Sequence, residues 1–249
     1  MGRVLILGHR GAVHPTAPEN TLASIERALR QGADGVEIDV RVTADGVPVC
    51  HHDPDLERLT EDRRQLAFTA YAELPWIGSH PIPRLSEVLD LVSGRGQLVV
   101  ELKSPAWPAL EAPEGVSAVA DVLRRHRAPD VVVSSFDRLR LKAFRGLSTG
   151  CPTALLGRPA VALAGLLRQA SLDGHPDVHP HVSSVLSSPN DARAAAERQR
   201  VTAWTVNRPI DLAAMRDLGL FAVIADDPGA AREALALPLP QVPRLADVG

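Results

Sequence analysis

Aromatic residues are scarce: four Phe, three Trp and one Tyr make up 3% of the 249 residues. Surfaces that bind single-stranded nucleic acid stack bases on aromatic rings, so this composition speaks against such a role. Positive charge is not in excess either. The net charge is −3, which leaves no basic footprint for a phosphate backbone. Cysteine is nearly absent, with Cys50 and Cys151 alone. Two thiols make no disulfide framework, and they read as free thiols in a reducing compartment. Long apolar runs are missing as well. The opening MGRVLILGHRG has only four apolar residues in a row, short of the ~7–15 of a secretory signal core. No stretch reaches the ~20 apolar residues of a membrane span. The expectation is a cytoplasmic protein with no nucleic-acid partner and no stable membrane anchor. Lysine is the last scarcity. Of 27 basic residues only Lys103 and Lys142 are lysines, so a lysine kept in an Arg-preferring chain marks its position.

What is present is alternation. In Gly35 to Arg41, Val36, Ile38 and Val40 alternate with Glu37, Asp39 and Arg41. A period of two is the mark of a strand with two unlike faces. Glu37 and Asp39 therefore share a face. Two carboxylates held that close repel, and burying either alone is costly, so a positive charge belongs between them. Asp45-Gly46 marks a turn, after which Val47 to Cys50 delivers His51, His52 and Asp53. Paired carboxylates followed by a delivered histidine suggest a metal and a proton-transfer group in one pocket.

The same pattern recurs along the chain. Apolar strand patterns at 4–7, 35–41, 98–103, 131–133, 152–156, 171–174, 201–206 and 222–225 alternate with helical stripes. Eight such repeats imply parallel strands with crossover helices. The count favours a (β/α)8 TIM-type barrel, with a small insertion after the second strand at about 54–83. No GxGxxG follows the first strand, so a dinucleotide fold has little support. Residues 1–236 read as one barrel and 237–249 as a Pro-rich mobile tail.

Barrels of this type carry their active site at the C-terminal ends of the strands. His9 and Arg10 fall there, as do Glu37, Asp39, His52, Glu101, Lys103 and Asp226. Glu37, Asp39 and Glu101 form an all-oxygen set, which suits one divalent cation of the Mg²⁺ or Ca²⁺ kind. His9 and His52 are the acid–base candidates, because imidazole titrates near neutrality. Arg10 and Lys103 suit contacts to a phosphate. His175, His179 and His181 have a spacing that could bind zinc, but Pro176 and Pro180 interrupt them and the run reads as a loop.

These residues resemble the glycerophosphodiester phosphodiesterases. His9-Arg10-Gly11, Pro18-Glu19-Asn20-Thr21, Glu37-Ile38-Asp39-Val40, Thr43-Ala44-Asp45-Gly46 and His52-Asp53 follow the family's opening order. Glu101-Leu102-Lys103, Ser135-Phe136-Asp137, Ala203 to Asn207 and Asp226-Asp227-Pro228 complete it. The resemblance implies metal-dependent hydrolysis of a small glycerophosphodiester to glycerol 3-phosphate and an alcohol. It carries the metal role onto Glu37, Asp39 and Glu101, and the catalytic role onto His9 and His52. Arg10, Lys103 and Trp204 become substrate contacts, and His51 is read as a neighbour that points elsewhere. The stretch after Arg58-Leu59-Thr60 is short and lacks the family's usual Asn-Gly turn, and Ala225 stands where the family usually has Thr. Two other readings stay open. A lysophospholipase D would need an apolar groove at the rim, for which Phe68, Tyr71 and Trp76 are available. A non-catalytic glycerophosphodiester-binding barrel would have no use for two proton-transfer groups.

Overall fold

A computed structural model describes residues 3–104, 114–126, 130–159 and 161–236. The tail expected at 237–249 lies outside these. Eight parallel strands close into a barrel: β1 (Leu5–His9), β2 (Gly35–Val42), β3 (Gln97–Leu102), β4 (Val131–Ser135), β5 (Thr153–Leu156), β6 (Asp177–His179), β7 (Arg200–Ala203) and β8 (Ala222–Ala225). Each pairs with the next, and β1 pairs with both β2 and β8, so no barrel edge remains. The helices are α1 (Leu22–Arg30), α2 (Leu85–Val92), α3 (Glu114–His126), α4 (Arg138–Gly146), α5 (Leu163–Asp173), α6 (Pro189–Ala196), α7 (Pro209–Asp217) and α8 (Pro228–Ala236). A further short helix, Val182–Ser187, follows β6. Among the described residues no helix is long and apolar enough to cross a membrane.

Strand parity sorts the side chains into two cores. Val36, Ile38, Val40, Val100, Val133 and Val178 face outward and pack under the helices in one continuous cluster. Leu7, Val99, Val132, Ala154, Ala222 and Ile224 fill the barrel axis in another. Each buried Val, Leu or Ile contributes ~1.5–3 kcal/mol relative to exposure, so the outer layer is the main source of stability. The polar residues of β2 share the inward parity of the axial cluster. They therefore lie in the barrel mouth and not on the surface.

The sixth strand corrects the expectation. Residues 171–174 are not a strand. Ser171 to Asp173 end α5, and Gly174 caps it in the left-handed conformation with φ 70°. The strand is Asp177–His179, within the run read as a loop. Its three residues carry two polar side chains that face inward, so no apolar run announces it. The insertion at 54–83 is a pair of two-stranded ribbons with short helical turns. Leu56, Leu66, Ile77 and Ile82 give it a small core of its own against Val49.

Candidate active site

The β1–α1 turn brings Arg10 into the mouth. Arg10 and Gly11 both take positive φ, 57° and 87°. At Gly11 a Cβ would lie 2.4 Å from the backbone of Ser24, so only glycine fits that approach. The turn places the Arg10 N–H 3.2 Å from Glu37 Oε2. Thr21 caps α1 by accepting from the Ser24 N–H. Just before it, Asn20 is buried with φ 58°. Its side chain clamps Asp39 twice, donating to Oδ2 at 2.9 Å and accepting from the Asp39 N–H at 3.0 Å.

Register brings the carboxylates together. His9 is the partner of Glu37, and Asp39 is the partner of Glu101. Glu37, Asp39 and Glu101 each offer an oxygen within 4.8 Å of the others, and all three are buried. Among the described residues this is the one group of that kind, and the histidines at 175, 179 and 181 do not form another. Lys103 Nζ sits 2.8 Å from Glu101 and 3.3 Å from Asp39, and Arg10 Nε lies 3.1 Å from Asp39 Oδ2. Burial would raise the Asp39 pKa, but Lys103 and Arg10 hold it down at about 2. Glu37 has less compensation. Burial and the neighbouring Asp39 push it up to about 8, and burial followed by Asp39 also raises Glu101. Three buried carboxylates that two basic side chains do not fully neutralise suit a hard divalent cation, which prefers oxygen ligands.

The two histidines are oppositely tuned. The His9 Nδ1–H donates to Asp226 Oδ1 at 2.7 Å. Asn207 holds Asp226 in turn through two bonds of 2.6 and 2.9 Å. Burial works against protonation of His9, yet the Asp226 bond and the Glu37 charge outweigh it and the pKa is raised. His52 donates from Nδ1 to Asp53 Oδ1 at 2.7 Å. Burial dominates there, and Lys103 adds to it, so the His52 pKa is lowered. His51 turns away and donates to the Asp55 carbonyl at 2.8 Å, as its sequence reading had it.

Other partners were not legible as site residues. Arg58, in the insertion, bonds Asp53 at 2.5 Å and Glu19 at 2.6 and 3.0 Å, and Glu19 also accepts from Arg10 at 2.9 Å. One ionic chain thus ties the insertion to both ends of the site. Across the mouth, Phe136, Arg158, His179 and Trp204 line the same cavity of about 370 Å³ as His9, Glu37 and His52. No residue of 54–83 lines it. Phe68 and Trp76 are 61% and 62% exposed, so the aromatic groove considered for a lysophospholipase D is not part of this cavity. Of the remaining histidines, His175 pairs with Thr153 and His181 caps the short helix after β6.

The sequence model of the glycerophosphoryl diester phosphodiesterase family matches residues 9–230. The chain is 30% identical over 240 residues to a glycerophosphodiester phosphodiesterase of Bacillus altitudinis, covering 90% of this chain and 94% of that one. It is 27% identical over 241 residues to the enzyme of the same name from Caldanaerobacter subterraneus subsp. tengcongensis, covering 91% and 95%. Among solved structures, a phosphodiesterase of Oleispira antarctica, in complex with the product sn-glycerol-3-phosphate, superposes with a TM-score of 0.81 at 29% identity. That match covers 94% of this chain and 97% of the other. The chain belongs to the glycerophosphoryl diester phosphodiesterase family and is a phosphoric diester hydrolase.

Proposed function

We propose that the enzyme hydrolyses glycerophosphodiesters to glycerol 3-phosphate and an alcohol, with Glu37, Asp39 and Glu101 holding one Mg²⁺ or Ca²⁺ and with His9 and His52 moving the protons. The observation that carries this reading is the buried carboxylate group flanked by two histidines of opposite tuning at one barrel mouth. A divalent cation bound by the three carboxylates would act as a Lewis acid on a phosphoryl oxygen. Arg10 and Lys103 add fixed positive charge where negative charge grows in the transition state. His52, with its lowered pKa, is neutral near pH 7 and serves as general base. His9, with its raised pKa, keeps its proton longer and serves as general acid toward the departing alcohol. Asp226 holds the Nδ1–H of His9 and leaves Nε2 to deliver the proton. Trp204 donates from Nε1 to the His179 carbonyl at 2.9 Å, and the indole is thereby set as an apolar wall for the substrate carbons.

Hydrolysis of a glycerophosphodiester panel tests the reading. His9→Ala and His52→Ala should each lose about 10²–10⁴-fold in kcat. A p-nitrophenyl leaving group, which departs without a proton, should restore His9→Ala and not His52→Ala. Near-wild-type rates in both variants would end the assignment. Chelation should abolish activity and lower Tm, with Mg²⁺ or Ca²⁺ restoring both, and Glu37→Gln should lose the metal-dependent rise in Tm. Activity unchanged in chelator would refute the metal role.

A further inference from the structure

One wall of the cavity carries a charge, that of Arg158, which the proposed chemistry does not use. Phe136, Arg158 and Trp204 stand across the mouth from the carboxylates and the two histidines. The Arg158 guanidinium lies over the Phe136 ring, 4.7 Å from its centroid. Phe136 meets Trp204 edge-on at 5.4 Å, and Trp204 meets His181 edge-on at 5.1 Å. The arrangement is held from below. The His179 carbonyl accepts from both the Gly157 N–H and Trp204 Nε1, each at 2.9 Å. One acceptor with two lone pairs thus ties the residue before Arg158 to the indole. Among the described residues Arg158 has no carboxylate within ion-pair distance, unlike Arg10 and Lys103.

Ser134 and His179 belong to the same lining, but Ser134 Oγ and His179 Nδ1 are buried beneath its surface. The hydrolytic reading puts the phosphate at the carboxylates and the two histidines, and the head group then extends along the opposite wall, beside Arg158.

We infer that Arg158 is a specificity-determining residue that selects against cationic head groups and favours hydroxyl-rich or anionic ones. The inference rests on the hydrolytic reading above. A quaternary ammonium group is recognised on the face of an aromatic ring, and here the Phe136 face is already covered by a guanidinium. Two like charges at this distance repel, and exposure to water limits the effect to about tenfold. A head group with hydroxyls or phosphate oxygens instead meets a planar, multidentate donor without a competing carboxylate.

The test compares kcat/KM for glycerophosphoinositol and glycerophosphocholine in the metal-loaded enzyme. The wild type should favour the inositol diester by about tenfold or more. Arg158→Gln should shrink that ratio by about tenfold, chiefly through a lower KM for the choline diester. Arg158→Glu should invert the ratio, and Arg158→Lys should retain it. A wild-type preference for choline, or a ratio that Arg158→Gln leaves in place, would overturn the inference while hydrolysis stands. Failure of the wild type to cleave either diester would overturn the hydrolytic reading and this one with it.

Discussion

Asp226 sets the chemistry of His9 from 217 residues away in the sequence. It accepts the Nδ1–H and keeps the imidazolium stable to higher pH, whereas His52 is driven toward the neutral form. The pair that the proposed mechanism requires, His9 charged and His52 neutral, is therefore most populated between the two pKa values. The kcat/KM profile should be a bell. Its acid limb lies below the ordinary histidine range and reports His52; its alkaline limb lies above that range and reports His9. Asp226→Asn removes a negative charge and an acceptor from His9. Its alkaline limb should move to lower pH while the acid limb stays, and a pH–rate series in both proteins measures this. A profile that does not move would remove Asp226 from the proposed mechanism.

At the scale of elements, the contact between β2 and β3 carries the geometry of the carboxylate cluster, because it sets Asp39 opposite Glu101. Its lower end is closed by Gly35. A Cβ there would lie 2.1 Å from the Gln97 carbonyl oxygen and 2.8 Å from the Gln97 backbone nitrogen. Backbone atoms inside a barrel cannot yield as a flexible side chain does. Gly35→Ala should destabilise the fold by about 3 kcal/mol, at the upper end of overpacking costs, as read by urea denaturation. Wild-type stability in that variant would show that the two strands can separate. The β2 pattern was plain in the sequence because Val36, Ile38 and Val40 alternate with Glu37 and Asp39. The β6 pattern was not. Asp177 and His179 face inward around a single outward Val178, and Pro176 and Pro180 flank them. A three-residue strand of that kind has too few apolar positions to show a period.

Over the whole molecule, closure of β1 on β8 turns residues from both ends of the chain into neighbours. It also encloses His179, whose pKa burial, with the Arg200 charge, lowers to about 3. Between the folded value near 3 and the ordinary histidine value of 6.5, the unfolded chain binds the extra proton. Stability is present above 6.5 and is lost as pH falls through that window, at up to ~1.4 kcal/mol per pH unit. His179→Gln should remove this dependence. Between pH 7 and pH 5 it should lose about 2 kcal/mol less than the wild type, measured by urea unfolding at the two pH values. Equal losses in both proteins would refute the prediction.

The sequence by itself determined the barrel repeat, the face shared by Glu37 and Asp39, and the all-oxygen character of the carboxylate cluster. These follow from local periodicity and side-chain chemistry, which need no knowledge of distant contacts. It also singled out Lys103, since a lysine stands out in a chain that otherwise uses Arg. Only the tertiary structure decided the partners: Asp226 and Asn207 behind His9, Arg58 between Asp53 and Glu19, and Arg158 over Phe136. Each of these depends on which strand ends meet when the sheet closes. The eightfold spacing announces the closure, but which side chains pair across it is a property of packing that the spacing does not carry.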